Sequence, residues 1–131
     1  MKINGILNSP ISRVLSYMRH TDTLCIGDCG LPCPDGVELI DVSLEFGKPS
    51  FMEVLTVVAR EMKIEKITLA AEIKTKNDAV LKQVQALFPN LSICFISHDD
   101  FKRQTKQCKA IIRAGEVTPY ANIILQSACV F

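Results

Sequence analysis

Arg19-His20-Thr21-Asp22-Thr23-Leu24-Cys25-Ile26-Gly27-Asp28-Cys29-Gly30-Leu31-Pro32 packs a histidine, a short apolar run, an aspartate and a Gly/Pro turn into one segment. Thr23 to Gly27 is β-prone and apolar, which predicts a short buried strand. Residues 28–36 are too rich in Gly and Pro to be anything but a loop. An imidazole and a carboxylate this close to turn chemistry point to a small polar site rather than to a piece of core. Upstream, Ser9 as N-cap and Pro10 at the first helical position predict a helix start. Ile11, Val14, Leu15 and Met18 give it one apolar stripe, and it is expected to end near Arg19-His20.

Downstream, residues 38–42 read as a short strand. Ser50 and Glu53 form a capping box ahead of the stripe Phe51, Val54, Leu55, Val58 and Met62. Residues 66–71 read as a strand with Glu72 at its end. Asn77 opens a third helix through Val80, Val84, Leu87 and Phe88, which Pro89 stops. Residues 91–96 form another strand, and Ser97 caps a short helix with Asp100 three residues on, so His98 falls in its first turn. Residues 108–113 and 123–130 complete the strands, around a turn at residues 115–120. Strand and helix alternate through the middle of the chain. The expected fold is therefore α/β, a single domain over residues 1–131 with a mainly parallel central sheet flanked by helices.

A chain of 131 residues is long enough for one domain that buries roughly two-thirds of its unfolded surface. Its 15 basic and 14 acidic side chains balance, which argues against a nucleic-acid or anionic-membrane partner held by bulk charge. The first residues lack a signal-peptide apolar core, and no run reaches the ~18 apolar residues of a membrane span. The expected location is cytoplasmic, where the six cysteines would stay reduced. The spacing of Cys25, Cys29 and Cys33 fits no zinc knuckle and no second cluster follows, so no metal is expected. Cys25, Cys94 and Cys129 lie in apolar strand-like runs, where free cysteine acts as a small hydrophobe.

Ligands of open parallel sheets bind beyond the carboxyl ends of the strands. Asp28, Glu72 and His98 each follow a predicted strand, so one sheet edge should display all three. His20 precedes the strand that ends at Asp28, and extended residues at ~3.3 Å each separate the two by ~20 Å. Either the chain folds back, or His20 meets Asp28 of a neighbouring subunit; the second is the favoured expectation, since ligand sites often lie at interfaces. Each residue also has a plainer reading. His20 suits a helix C-terminus, Asp28 can open an Asx-turn ahead of Gly30, and His98 and Asp99 can be ordinary first-turn residues. Tyr120 and Asn122 straddle Ala121, so in an extended segment they would share a face. Lys102 and Lys106 share a helix face that is more often solvated than functional. Glu72 carries no assignment.

The order of motifs adds what spacing cannot. Gly5-Ile6-Leu7-Asn8-Ser9, His20-Thr21-Asp22-Thr23, Asp28-x-Gly30-Leu31-Pro32-x-Pro34-Asp35-Gly36 and Thr118-Pro119-Tyr120-Ala121-Asn122-Ile123-Ile124-Leu125 resemble the D-ribose pyranase / L-fucose mutarotase family over essentially the whole chain. Thr21, where the fucose branch usually has glycine, favours the ribose branch. Arg19, Gly27 and Cys29 depart from the residues common in the family, without removing a polar group. The resemblance implies an isomerase that interconverts the pyranose and furanose forms of D-ribose without a cofactor and feeds ribose to phosphorylation by ribokinase. It implies that His20 is the proton donor and that Asp28, His98, Tyr120, Ala121 and Asn122 bind the sugar. It also implies a ring-like homo-oligomer, commonly a decamer, with clefts between subunits. The rival expectations are a mutarotase acting on L-fucose or another sugar, and a non-catalytic sugar-binding accessory of ribose transport.

Overall fold

The computed structural model describes all residues from Met1 to Phe131. The elements run α1 (Ser9–Tyr17), β1 (Thr23–Gly27), β2 (Glu38–Asp41), α2 (Phe51–Ala59), β3 (Ile64–Ala70), α3 (Ile73–Lys76), α4 (Asp78–Leu87), β4 (Ile93–Ile96), α5 (His98–Gln104), a 3₁₀ turn (Thr105–Gln107), β5 (Ala110–Arg113) and β6 (Ile123–Ser127). The strands form one sheet in the order β2-β5-β1-β6-β3-β4. Five strands point the same way, and β6 is wedged antiparallel between β1 and β3. The fold is α/β with a mainly parallel sheet, as the alternation of elements predicts.

Burial follows the two-residue period of strands. Leu24, Ile26, Ile67, Leu69, Ile112, Ile123 and Leu125 face one side and join Val14, Phe51, Leu55, Val58 and Val84 from α1, α2 and α4 in the larger core. Cys25, Ile111 and Ile124 face the other side and pack with Leu31, Phe101 and Cys108 in a smaller one. The two faces are thus covered unequally, by three helices on one side and chiefly by α5 on the other.

Local chemistry differs from the sequence expectation at several points. Asn8, not Ser9, caps α1, its side chain accepting from the Ile11 amide at 3.0 Å, with Ser9 and Pro10 inside the first turn. That helix stops at Tyr17, before His20. The short α3 between Glu72 and Asn77 was not expected, because four residues carry no helical period. The last strand ends at Ser127 rather than at residue 130. The capping box holds: Ser50 Oγ accepts from the Glu53 amide at 3.1 Å, and Glu53 accepts from the Ser50 amide at 2.7 Å.

The link from β5 to β6 decides the site. Residues 114–122 leave the carboxyl end of β5 without a helix of their own. A parallel return needs a crossover of about a dozen residues or more. This shorter link steps over the end of β1 and runs back down antiparallel. The Cys29 amide donates to the Glu116 carbonyl at 2.9 Å where the link passes above β1. Because β6 runs in reverse, its first residues stand at the edge where the other strands end.

Candidate functional site

Asp28 follows β1, Glu72 follows β3, His98 follows β4, and Tyr120, Ala121 and Asn122 precede β6, so all six lie along one sheet edge. Asn122 is only 1% exposed and pairs reciprocally with Asp28. Its Oδ1 accepts from the Asp28 amide at 2.8 Å, and its Nδ2 donates to Asp28 Oδ2 at 2.9 Å. The Gly30 amide donates to Asp28 Oδ1 at 2.9 Å, the Asx-turn geometry expected of an aspartate two residues before glycine. Asp28 is therefore both a turn former and a held carboxylate, with a lone pair left on each oxygen.

Tyr120 and Asn122 do not share a face as an extended segment would require. Tyr120 adopts φ +56°, in the left-handed region that a bulky residue rarely enters. The reversal turns Asn122 inward to Asp28 and leaves the Tyr120 ring edge-on to His98, centroids 5.1 Å apart. Ala121, fully buried between them, joins the larger core.

Two side chains outside the residues expected at the site hold this turn, one of them Asn77, which opens α4 but makes no side-chain cap bond there. Asn77 Nδ2 donates to Thr118 Oγ1 at 2.9 Å and to the Pro119 carbonyl at 2.8 Å. Glu116 accepts from the Thr118 amide at 3.1 Å, the Thr118 hydroxyl at 2.9 Å and the distant Phe51 amide at 3.0 Å. Burial alone would push the Glu116 carboxyl up, but these donors outweigh it and hold it below the usual range.

His98 opens α5 beneath the Ser97 cap, which accepts from the Asp100 amide at 3.1 Å. Both oxygens of Glu72 accept from the His98 amide, at 3.0 and 3.1 Å, which gives that unassigned carboxylate a structural task. The imidazole stacks on Phe101 at 6.3 Å, and its Nδ1 is buried without a partner. Lys102 pairs with Asp99 at 2.9 Å along the same helix.

His20 stands at the other end of the sheet. It lies before β1, and the Thr21 amide next to it donates to the carbonyl of Ser127, the last residue of β6. Its Nε2 lies 3.1 Å from Glu65 Oε2, near the start of β3, and its side chain is 53% exposed. Gln126 Nε2 donates to Glu65 Oε1 at 2.6 Å. The Gln126 amide, with His20 second, holds the Glu65 carboxyl below its ordinary range despite the opposing effect of burial. The chain does not fold back, and the length of β1 separates His20 from Asp28.

The thiols are dispersed. Cys25 and Cys108 are buried, while Cys94 on the edge strand β4 is exposed rather than packed, and Cys129 lies beyond β6. No group of three or more His, Cys, Asp or Glu side chains is disposed to hold a metal ion. The roughly 600 Å³ cleft lined by Lys2, Asn4, Gly5, Val57, Arg60 and Glu61 contains none of the edge residues.

The model of the RbsD / FucU transport protein family matches residues 1–130. A D-ribose pyranase of Bacillus cereus is 53% identical over the full length of both chains, and one of Bacillus cytotoxicus is 50% identical over the same span. The structure of Bacillus subtilis RbsD complexed with D-ribose shares 49% identity and superposes over both entire chains with a TM-score of 0.98. The fucose mutarotase of Streptococcus pneumoniae, in complex with L-fucose, is 20% identical over 95% of each chain with a TM-score of 0.80, a likeness of fold alone.

Proposed function

The chain belongs to the RbsD / FucU transport protein family, and from that premise we propose that it interconverts the pyranose and furanose forms of D-ribose. The observation that carries the reading is the edge cluster of Asp28, His98, Tyr120 and Asn122. It combines a carboxylate, an imidazole, a phenol and an amide without any concentration of charge, which suits a neutral polyol. Identity of 50–53% with ribose pyranases over the full length of both chains supports the ribose substrate.

The reaction opens the pyranose by breaking the bond from C1 to the ring oxygen. A proton goes to that oxygen and another leaves the C1 hydroxyl as the aldehyde forms. Reclosure adds the C4 hydroxyl to C1, releases that hydroxyl's proton and returns one to the carbonyl oxygen. Protons balance and nothing is oxidised or reduced. His20 is the proton donor, since an imidazole exchanges protons near neutrality. Asp28, Asn122 and Tyr120 hold hydroxyls and the sugar face, His98 contributes a ring nitrogen, and Ala121 contributes its backbone.

His20 serves this site from an adjacent subunit. The one-chain geometry supports that reading, since the histidine is exposed and a strand's length from Asp28. The assembly is a ring-like homo-oligomer, a decamer with clefts between subunits. Exposed Leu7, Tyr17, Leu44 and Phe46 offer apolar surface for such contacts. A cytoplasmic location accords with ribose bound for phosphorylation, and no helix is long and apolar enough to cross a membrane.

Saturation-transfer NMR on ribose tests the reading. The protein should accelerate exchange between pyranose and furanose signals, and His20→Ala should lower the rate by about 10²-fold or more while ribose still binds. Binding with background exchange would instead make the chain a sugar-binding accessory. Acceleration of anomer exchange without ring-size exchange would make it a mutarotase.

A further inference from the structure

We propose that Glu65 is the positioning residue of His20, accepting a hydrogen bond from Nε2–H of the imidazole so that Nδ1 is the nitrogen that trades protons with the sugar. The inference rests on His20 being the proton donor of the proposed reaction. Three features of the amino-terminal end of β3 carry it.

The first is a break in the strand register. Ile64 pairs with Ser127 and Lys66 with Gln126, so Glu65 occupies a β-bulge between them. Bulges re-aim a side chain that the regular pleat would send elsewhere. The second is the conformation of Thr21, whose φ of +69° is costly for a β-branched residue. Its amide donates to the Ser127 carbonyl at 3.0 Å, which ties the segment bearing His20 to the strand that opposes the bulge. Two backbone irregularities thus face each other across β6, one under each partner of the pair.

The third is the hydrogen-bond chain. Gln126 Nε2 donates to Glu65 Oε1 at 2.6 Å, leaving Oε2 directed at His20 Nε2, 3.1 Å away. The Glu65 carboxylate can only accept, so the contact to His20 needs Nε2 to carry hydrogen. The nitrogen that is free to react is set by the bond the other nitrogen makes. With Nε2–H fixed on Glu65, the imidazolium delivers its proton from Nδ1, and Nδ1 recovers one from a sugar hydroxyl. Glu65 does not touch the sugar in this scheme.

Long-range ¹H–¹⁵N correlation of the imidazoles tests this directly. The chain has two histidines, so a His20→Ala spectrum assigns both. In alkaline buffer, His20 of the parent should show a protonated Nε2 and a bare Nδ1. Glu65→Gln, which keeps an acceptor oxygen, should retain that tautomer; Glu65→Ala should lose the preference. Glu65→Ala should also lower kcat for ring exchange about tenfold with KM unchanged, and Glu65→Gln should recover part of it. A parent His20 protonated at Nδ1, or a Glu65→Ala protein with parental kcat, would overturn the proposal. Parental exchange in His20→Ala would instead sink the proton-donor assignment, with the tautomer result still standing.

Discussion

At the scale of single residues, Glu116 does more than its place in a turn suggests. Its carboxylate joins the start of α2, through the Phe51 amide, to the Thr118 segment that positions Tyr120. Its folded-state carboxyl is held below the ordinary value. The stabilisation it supplies is therefore fully present above the usual glutamate range near ~4.3 and is lost as pH falls through the lower folded value. Glu116→Gln should cost about 1–2 kcal/mol at neutral pH, since bonds to a charged acceptor weaken. It should also flatten the decline of Tm between neutral and acid pH. A parent and variant whose Tm curves run parallel would contradict the role given to this carboxylate.

At the scale of elements, the site depends on where the link from β5 to β6 passes. Gly115 stands at its start, between the Gly47 amide, which donates to its carbonyl at 2.6 Å, and the Pro49 carbonyl, which accepts from its amide at 2.8 Å. A Cβ at Gly115 would be driven into the backbone carbonyls of Lys48 and Glu45. These are main-chain atoms, so the hairpin at residues 44–48 would have to move as a unit. Gly115→Ala should cost about 1–3 kcal/mol by the logic of overpacking. Chemical denaturation checks this through the midpoint. Because the displaced link is the one that carries Tyr120 and Asn122, ribose affinity should fall in the same variant.

At the scale of the whole molecule, the decisive fact is that the candidate donor and the candidate sugar-binding edge lie at opposite ends of one sheet. In the proposed assembly, a site that joins them would take His20 from one subunit and Asp28 from the next. Mixing His20→Ala with Asn122→Ala, followed by dissociation and reassembly, should restore about one quarter of the parental sites if subunits assort at random around a closed ring. Each variant alone should be nearly inactive in the NMR exchange assay. A reassembled mixture no more active than its two components would show that each chain builds its site unaided.

Much of this was legible in one dimension. The strand Thr23–Gly27, the capping box at Ser50, the Ser97 cap and the alternation of elements all follow from side chains within a few positions of one another. The placement of Asp28, Glu72 and His98 at one edge follows from strand order in the chain, because parallel strands end together. Motif order carries the family resemblance, and the roles it implies for His20 and the edge residues are ones that spacing does not specify. What stayed hidden depends on contacts between distant segments: the antiparallel wedge of β6, the left-handed Tyr120, the grip of Asn77 and Glu116 on its turn, and the bulge that meets His20. Hydrophobic period and cap chemistry are short-range quantities and were readable from the chain alone. The direction of a returning strand and the partner of a lone carboxylate are set only once the sheet has closed around them.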